Sequence, residues 1–249
     1  MVSIKTKEEI EKINIAGSVV YGVLELMKTV VKPGISTNRL NQLADEYIRE
    51  KNCTPSFLNY EGYPKSICIS INDEVVHGIP GKRKIKKGDI VKIDVGACYK
   101  GYHADSARTY IVGQTNEEIR QLVNNTEKAL YKGLSVIKEG IKLNEVSKAI
   151  ESVAKENGYG VIRELTGHGI GTNIHEDPYI FNYENNESEL IIKEGMTLAI
   201  EPMFSLKKRN IWMLEDGWTI TTQDGSVAAH FEHTIVVTKE GYQILTGEW

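Results

Sequence analysis

Two stretches of this chain each end in a carboxylate. Residues 86–94 read KKGDIVKID and residues 193–201 read KEGMTLAIE. Each is a Lys-x-Gly turn, a short apolar run, then isoleucine and an acid. Gly88 and Gly195 are 107 positions apart, and so are Asp94 and Glu201. A second carboxylate follows each. Asp105 comes 11 residues after Asp94, about the length needed to turn and return on a neighbouring strand. Glu232 comes 31 residues after Glu201 and starts the strand-like run EHTIVV. Four converging carboxylates cannot all stay ionised without cations, and two divalent metals would neutralise them. His168, between glycines in GHGIGTNIHEDP, can bring an imidazole to the same place. Four oxygen donors, one nitrogen and no thiolate suit Mn, Fe, Co or Zn at a water-accessible catalytic site. Two metals ~3.5–4 Å apart can share an activated water and polarise a carbonyl.

Other candidates are less decided. His77 in HGIP and His175 in IHEDP fit either a site or a satisfied loop histidine. His103, His230 and His233 read as structural. His175-Glu176 does not begin an H-E-x-x-H zinc helix, because Tyr179 stands where the second histidine belongs. GHGIG is not a phosphate loop, since no Gly-Lys-Ser/Thr follows it. The basic run KRKIKK at 82–87 reads as a solvated hairpin face.

The elements that position these residues are themselves repeated. TKEEI (6–10) matches TNEEI (115–119), and VKPGISTNRLNQLADEYIREKN (31–52) matches IKEGIKLNEVSKAIESVAKENG (137–158). The order is kept and the offset stays between 106 and 109. Thr6 with Glu9, and Thr115 with Glu118, form capping boxes that start helices. Leu40, Leu43, Ala44, Tyr47 and Ile48 line one helical face, and Val146, Ala149, Ile150, Val153 and Ala154 line its counterpart. Strands are expected at 66–71, 90–97, 107–112, 196–204, 217–222 and 231–238, short and rich in Ile, Val and Thr. A helix pair followed by strands, twice over, is an α+β pattern with helices outside a mostly antiparallel sheet. The chain is therefore read as one domain, 1–249, with internal repeats at about 1–112 and 113–249, and a cleft at their pseudo-twofold axis.

Composition bounds the alternatives. With 249 residues, 41% hydrophobic and 26% charged, the chain suits one large globular domain or two small ones. A net charge of −4 points to neither DNA nor an anionic membrane as partner. Three cysteines without a C-x-x-C argue for a reducing, cytoplasmic setting and against a disulfide framework. The matches to N-x-S/T at Asn52, Asn124 and Asn186 then read as chance. The apolar stretch Ile15 to Met27, broken by Tyr21, Gly22 and Glu25, reads as too short to span a bilayer.

Taken with YPKSICISINDEVVHGIP, KIDVGACYKGYHADSARTYIVG, GHGIGTNIHEDP, IEPM and FEHTIVVT, the chain resembles type I methionine aminopeptidases over essentially its whole length. These are dinuclear metallopeptidases of the pita-bread fold. The resemblance implies that Asp94, Asp105, His168, Glu201 and Glu232 are the metal ligands, with Asp105 and Glu232 bridging. It implies that His77 contacts the substrate near its amino terminus and that His175 hydrogen-bonds the scissile amide. A hydroxide shared by the metals would attack, with Glu201 accepting the proton. Tyr60, Tyr63, Cys68 and Trp218 would form an apolar methionine pocket. The implied substrate is the N-terminal methionine of nascent chains with a small second residue. Ribosome contact through Lys82–Lys87 or Lys207–Arg209 and a monomeric state go with that reading. Phe57 stands where the family often has cysteine, and Ile174 where an aromatic often precedes the second histidine.

Three other readings share the pattern. An Xaa-Pro aminopeptidase or prolidase uses the same ligands, but usually with a separate N-terminal domain, which is not expected here. A non-catalytic pita-bread protein binding peptides or the ribosome would typically lose ligands. Creatinase-like chemistry needs no metal, and the intact ligand set disfavours it.

Overall fold

The computed structural model describes residues 2–185 and 189–247, so the motif at Asn186 lies outside the described residues. Helices α1 (Lys7–Val30) and α2 (Thr37–Glu50) come first. Strands β1 (Thr54–Pro55), β2 (Ile67–Ile71), β3 (Glu74–Val76), β4 (Ile90–Tyr99) and β5 (Tyr102–Ile111) follow. A second helix pair, α3 (Glu117–Ser135) and α4 (Leu143–Asn157), leads into β6 (Gly160–Val161), β7 (Gly167–Gly169) and β8 (Glu176–Ile180). Then come β9 (Thr197–Ile200), β10 (Met203–Ser205), β11 (Ile211–Met213), β12 (Ile220–Thr222), β13 (Ala228–His230), β14 (His233–Val237) and β15 (Tyr242–Ile244). Among the described residues every strand pairing is antiparallel. The α+β pattern expected from the sequence is the one observed.

The first helix begins at its capping box. The Thr6 hydroxyl accepts the Glu9 N–H, and the Glu9 carboxylate accepts the Thr6 N–H at 2.7 Å. The third helix starts one residue later than expected. Asn116, not Thr115, is the N-cap, and its side-chain oxygen takes the Ile119 N–H at 2.9 Å. Asparagine caps at least as well as threonine, so the end shifts to it.

The length of α1 corrects another expectation. The helix runs 24 residues straight through Tyr21, Gly22 and Glu25, and by length and composition alone it could cross a bilayer. Its Ile13, Ala16, Val20, Val23, Leu24 and Met27 are fully buried within the fold, as in a core helix of a folded domain.

Two large apolar clusters hold the helices to the sheets. One joins α1 and α2 to β2 and β4, through Val20, Leu24, Leu40, Ile48, Ile67 and Ile93. The other joins α3 and α4 to β9 and β14, through Leu130, Leu134, Ile150, Leu198 and Ile235. The sheet carrying Asp94 and Asp105 is built on β4, which pairs with β1, β2 and β5. A five-stranded sheet in the order β15-β14-β9-β7-β8 carries the second set.

Strand limits differ from the sequence reading where local chemistry intervenes. The expected strand 107–112 begins earlier, at Tyr102, and carries Asp105 on the returning strand as expected. The expected strand 196–204 divides at Glu201-Pro202, since proline has no N–H to give to a ladder. The strand expected at 217–222 shortens to β12 because the Asp216 carboxylate takes the Trp218 and Thr219 N–H groups into a turn. The strand expected at 231–238 begins at His233. Glu232 sits just ahead of it, with its N–H given to Ala107 O at 2.9 Å.

Candidate metal centre and its cavity

The β4–β5 hairpin sets the first two carboxylates. Asp94 lies opposite Ala107, and Gly96 lies opposite Asp105. Paired residues and alternate residues of a strand share a face, so Asp94 and Asp105 point the same way. In the other sheet, Ile200 pairs with His233, which brings Glu201 beside Glu232 at the strand ends.

A seam of hydroxyls joins the two sheets. The Asp105 N–H donates to Thr234 Oγ1 at 3.1 Å, and the Thr234 hydroxyl lies 2.8 Å from Asp105 O and 3.0 Å from its Oδ1. Ser106 donates from its hydroxyl to Glu232 O. Thr109 donates to His230 O at 2.6 Å and accepts the His230 N–H at 3.0 Å. This seam holds Asp105 against Glu232.

His168 enters from β7, between β8 and β9. Glycines flank it because the neighbouring backbones lie close: a side chain at Gly167 would strike Ala199 O, and one at Gly169 would strike Asp177 O. His168 Nδ1 is 2.9 Å from Gly169 O, which fixes the proton on Nδ1 and leaves Nε2 with a free lone pair. That Nε2 is 3.5 Å from both Asp105 Oδ2 and Glu201 Oε1. Asp105, His168 and Glu232 each offer a donor atom within 4.8 Å of the others.

Electrostatics give the cluster its chemistry. Burial and the charge of Asp105 push the Asp94 carboxyl well above its ordinary range. Burial, then Asp105 and Asp94, do the same to Glu201. Burial, then Asp105 and Glu201, raise Glu232. Burial lifts Asp105 to about 6. Among the described residues no lysine or arginine pairs with any of the four, and Asp94 Oδ1 is buried without a hydrogen-bond partner. Burial holds His168 down to about 4, so it stays neutral, as a ligand must. Crowded carboxylates, an orphaned oxygen and a lone pair facing them fit divalent cations.

Above the cluster opens a cavity of about 290 Å³. Tyr60, Tyr63, Cys68, Trp218, His77 and His175 all line it, as do the five candidate ligands. The Tyr63 and Trp218 rings meet edge-on at 5.1 Å. The Tyr63 hydroxyl donates towards Gly78 O at 2.9 Å. His175 stacks edge-on against His168 at 4.4 Å, and its Nδ1 is 2.9 Å from the Tyr60 hydroxyl. Burial and then His168 lower its basicity, and burial brings His77 down to about 4. Phe57 and Ile174 converge over Gly96, whose missing side chain leaves them room.

The remaining histidines divide. His103 is tied to Ser56, and His233 to Thr246 and Tyr131, in keeping with structural roles. His230 is different: it lines the cavity, is 1% exposed, and neither ring nitrogen has a hydrogen-bond partner. Its position two residues before Glu232 was the available signal, since alternate residues along extended chain face the same side.

A cluster suited to divalent cations under an apolar cavity is the arrangement expected of a metallopeptidase. Metallopeptidase family M24 matches residues 11–239, and the chain belongs to that family. It is 45% identical to methionine aminopeptidase 1 of Bacillus subtilis (strain 168) over 246 residues, covering 99% of each chain. The structure of methionine aminopeptidase from Thermotoga maritima superposes with a TM-score of 0.97 at 45% identity, covering 100% of both chains. An Xaa-Pro dipeptidase from Bacillus anthracis gives a TM-score of 0.81 at 26% identity, over 99% of this chain and 62% of that one. Within the family the place of this chain is among the type I methionine aminopeptidases, and its fold is theirs, the pita bread.

Proposed function

We infer that this protein removes the N-terminal methionine from polypeptides whose second residue is small. The observation that carries this is the apolar cavity of Tyr60, Tyr63, Cys68 and Trp218 directly beside the carboxylate–imidazole cluster. A thioether gains dispersion and sulfur–aromatic contact in such a pocket. Asp94, Asp105, His168, Glu201 and Glu232 would hold two divalent cations, drawn from Mn, Fe, Co or Zn. Bound there, the cations supply Lewis-acid polarisation of the peptide carbonyl and an acidified water.

The protein's own groups do the rest. Glu201, whose Oε1 faces His168 within the cluster, takes the proton of the attacking water and passes it to the leaving amine. His175 donates from Nε2 to the reacting amide when Tyr60 donates to its Nδ1. His77, held neutral at the cavity wall, orients the amino-terminal end of the substrate. The apolar wall excludes water from the methionine side chain. Phe57 lines the cavity and is backed over Gly96 by the buried Ile174, which would limit the room beside the methionine pocket.

We read the chain as one catalytic domain built from two repeats, about 1–112 and 113–249, and the paired helices and strand-end acids support that reading. Nascent chains in the cytoplasm are the natural substrates on this view, met by a monomer. Exposed lysines at 82–87 and 207–208 suit contact with a ribosome. The test is a metal-reconstituted assay on Met-Ala, Met-Lys and Ala-Pro peptides, with Asp94→Ala as control. Turnover of Met-Ala far above Met-Lys is expected. Preference for Ala-Pro would remove the methionine reading, and no turnover with any of the metals would leave a binding protein.

A further inference from the structure

His230 is a fully buried imidazole at the metal cluster with no hydrogen-bond partner on either nitrogen. Its Nε2 is 3.5 Å from Glu201 Oε2. The two oxygens of Glu201 are thus divided between two histidines: Oε1 faces His168 Nε2, and Oε2 faces His230 Nε2, each at 3.5 Å.

The two imidazoles are not equivalent. A histidine that binds metal through one nitrogen almost always donates its other N–H to a fixed acceptor. His168 does so through Gly169 O. His230 Nδ1 has no such acceptor, so nothing anchors its ring as a ligand. Its backbone, in contrast, is clamped on both sides by Thr109, and its strand is paired to β10 at Met203, two residues from Glu201. The base of the ring is therefore held in a fixed relation to the Glu201 carboxylate.

We propose that His230 is a positioning residue, donating from Nε2–H to Glu201 Oε2 and keeping Oε1 turned to the metal cluster. At 3.5 Å the contact is long for a hydrogen bond, and a small turn of the Glu201 carboxylate closes it. This rests on the reading of Glu201 as metal ligand and proton acceptor. Outer partners of metal ligands typically change affinity by about 10–100-fold when removed.

Two variants separate the donor from the bulk. His230→Leu removes the N–H, and His230→Gln keeps a side-chain amide N–H. Expected for His230→Leu is Mn(II) binding weakened about 10–100-fold by calorimetry. Its kcat on a Met-Ala peptide should fall while KM stays within about twofold. His230→Gln should recover most of both. Equal Mn(II) affinity and kcat in His230→Leu and the unaltered protein would overturn the proposal. Two measurements need no variant, should His230→Leu fail to fold. Long-range proton–nitrogen correlation spectra of the metal-free protein should show the His230 proton on Nε2, and a proton on Nδ1 would overturn the assignment. Spin-echo spectra of the Mn(II)-loaded protein should count one bound imidazole, and two would make His230 a ligand instead. Activity of Glu201→Gln separates the two levels: if that variant keeps full turnover, the role of Glu201 fails, whatever His230 does.

Discussion

The Tyr60 hydroxyl lies 2.9 Å from Nδ1 of His175. With Tyr60 donating, the imidazole proton sits on Nε2, the nitrogen free to reach a reacting amide. Tyr60→Phe keeps the ring in the apolar wall and removes only this bond. Its kcat on Met-Ala peptides should fall about tenfold, for a bond worth ~1.4 kcal/mol, with KM nearly unchanged. His175→Ala should cost more, about 10²–10³ in kcat, as for loss of a donor to a developing oxyanion. Steady-state kinetics decide, and an unaltered kcat in Tyr60→Phe would remove the tautomer argument.

Gly96 on β4 is the floor beneath Phe57 and Ile174. A side-chain carbon there would stand 2.7 Å from Phe57 Cε1, 2.9 Å from Ser56 Cβ and 3.1 Å from Ile174 Cδ1. Gly96→Ala should therefore destabilise by about 1–3 kcal/mol, the usual cost of overpacking. Phe57→Ala in the same chain should return part of that, because the two sites share the clash. Denaturant midpoints of the single and double variants would measure the coupling, and strictly additive losses would contradict the contact.

Much of this site was legible in the sequence, for reasons tied to particular residues. Asp94 and Asp105 declare themselves because a hairpin of fixed length must bring them onto one face. Glu201 was visible through its shared phrase with Asp94, and His168 through its glycines, which a crowded central strand requires. The apolar helical faces of α2 and α4 followed from period alone. What stayed hidden depends on contacts far apart in the chain. The hydroxyl seam from Asp105 to Thr234 has no local signature. His230 reads as structural in the sequence because its meaning lies in Glu201, 29 positions earlier. The convergence of Phe57 and Ile174 over Gly96 is likewise a product of folding.

His77 has a left-handed backbone, with φ of 60°, and a ring that burial holds down to about 4. The unfolded ring titrates near 6.5. The folded value is depressed, so its stability contribution is complete above pH 6.5 and is lost as pH falls towards 4. The slope in that window is about 1.4 kcal/mol per pH unit, up to about 3 kcal/mol in all. Asparagine accepts the same backbone and has no proton to gain. The stability of the unaltered protein minus that of His77→Asn should shrink by this amount between pH 6.5 and 4. Urea unfolding at three or four pH values would show it. A constant difference would mean that the half-buried His77 ring is not held neutral. The variant should also bind Met-Ala peptides less well, since it loses a cavity-wall contact.

Asp94 carries the sharpest expectation for metal removal. Its carboxylate is buried, has one unpartnered oxygen, and is opposed by Asp105. Without cations the cluster therefore works against folding, and it does so more strongly as pH rises and the raised carboxyls ionise. Asp94→Asn is nearly isosteric and removes one of these charges. The metal-free variant should melt several degrees above the metal-free parent at pH 7.5, and the gap should narrow towards pH 5, where the parent's carboxyls are increasingly protonated. Adding Co(II) or Mn(II) should reverse the order. The parent gains stability by about 2.7 kcal/mol at a hundredfold excess over its Kd, and the variant gains little. Calorimetric melting with and without a chelator tests both halves. A metal-free variant less stable than its parent would show that Asp94 serves the fold rather than the cation. An equal metal-induced shift in both proteins would take Asp94 out of the ligand set.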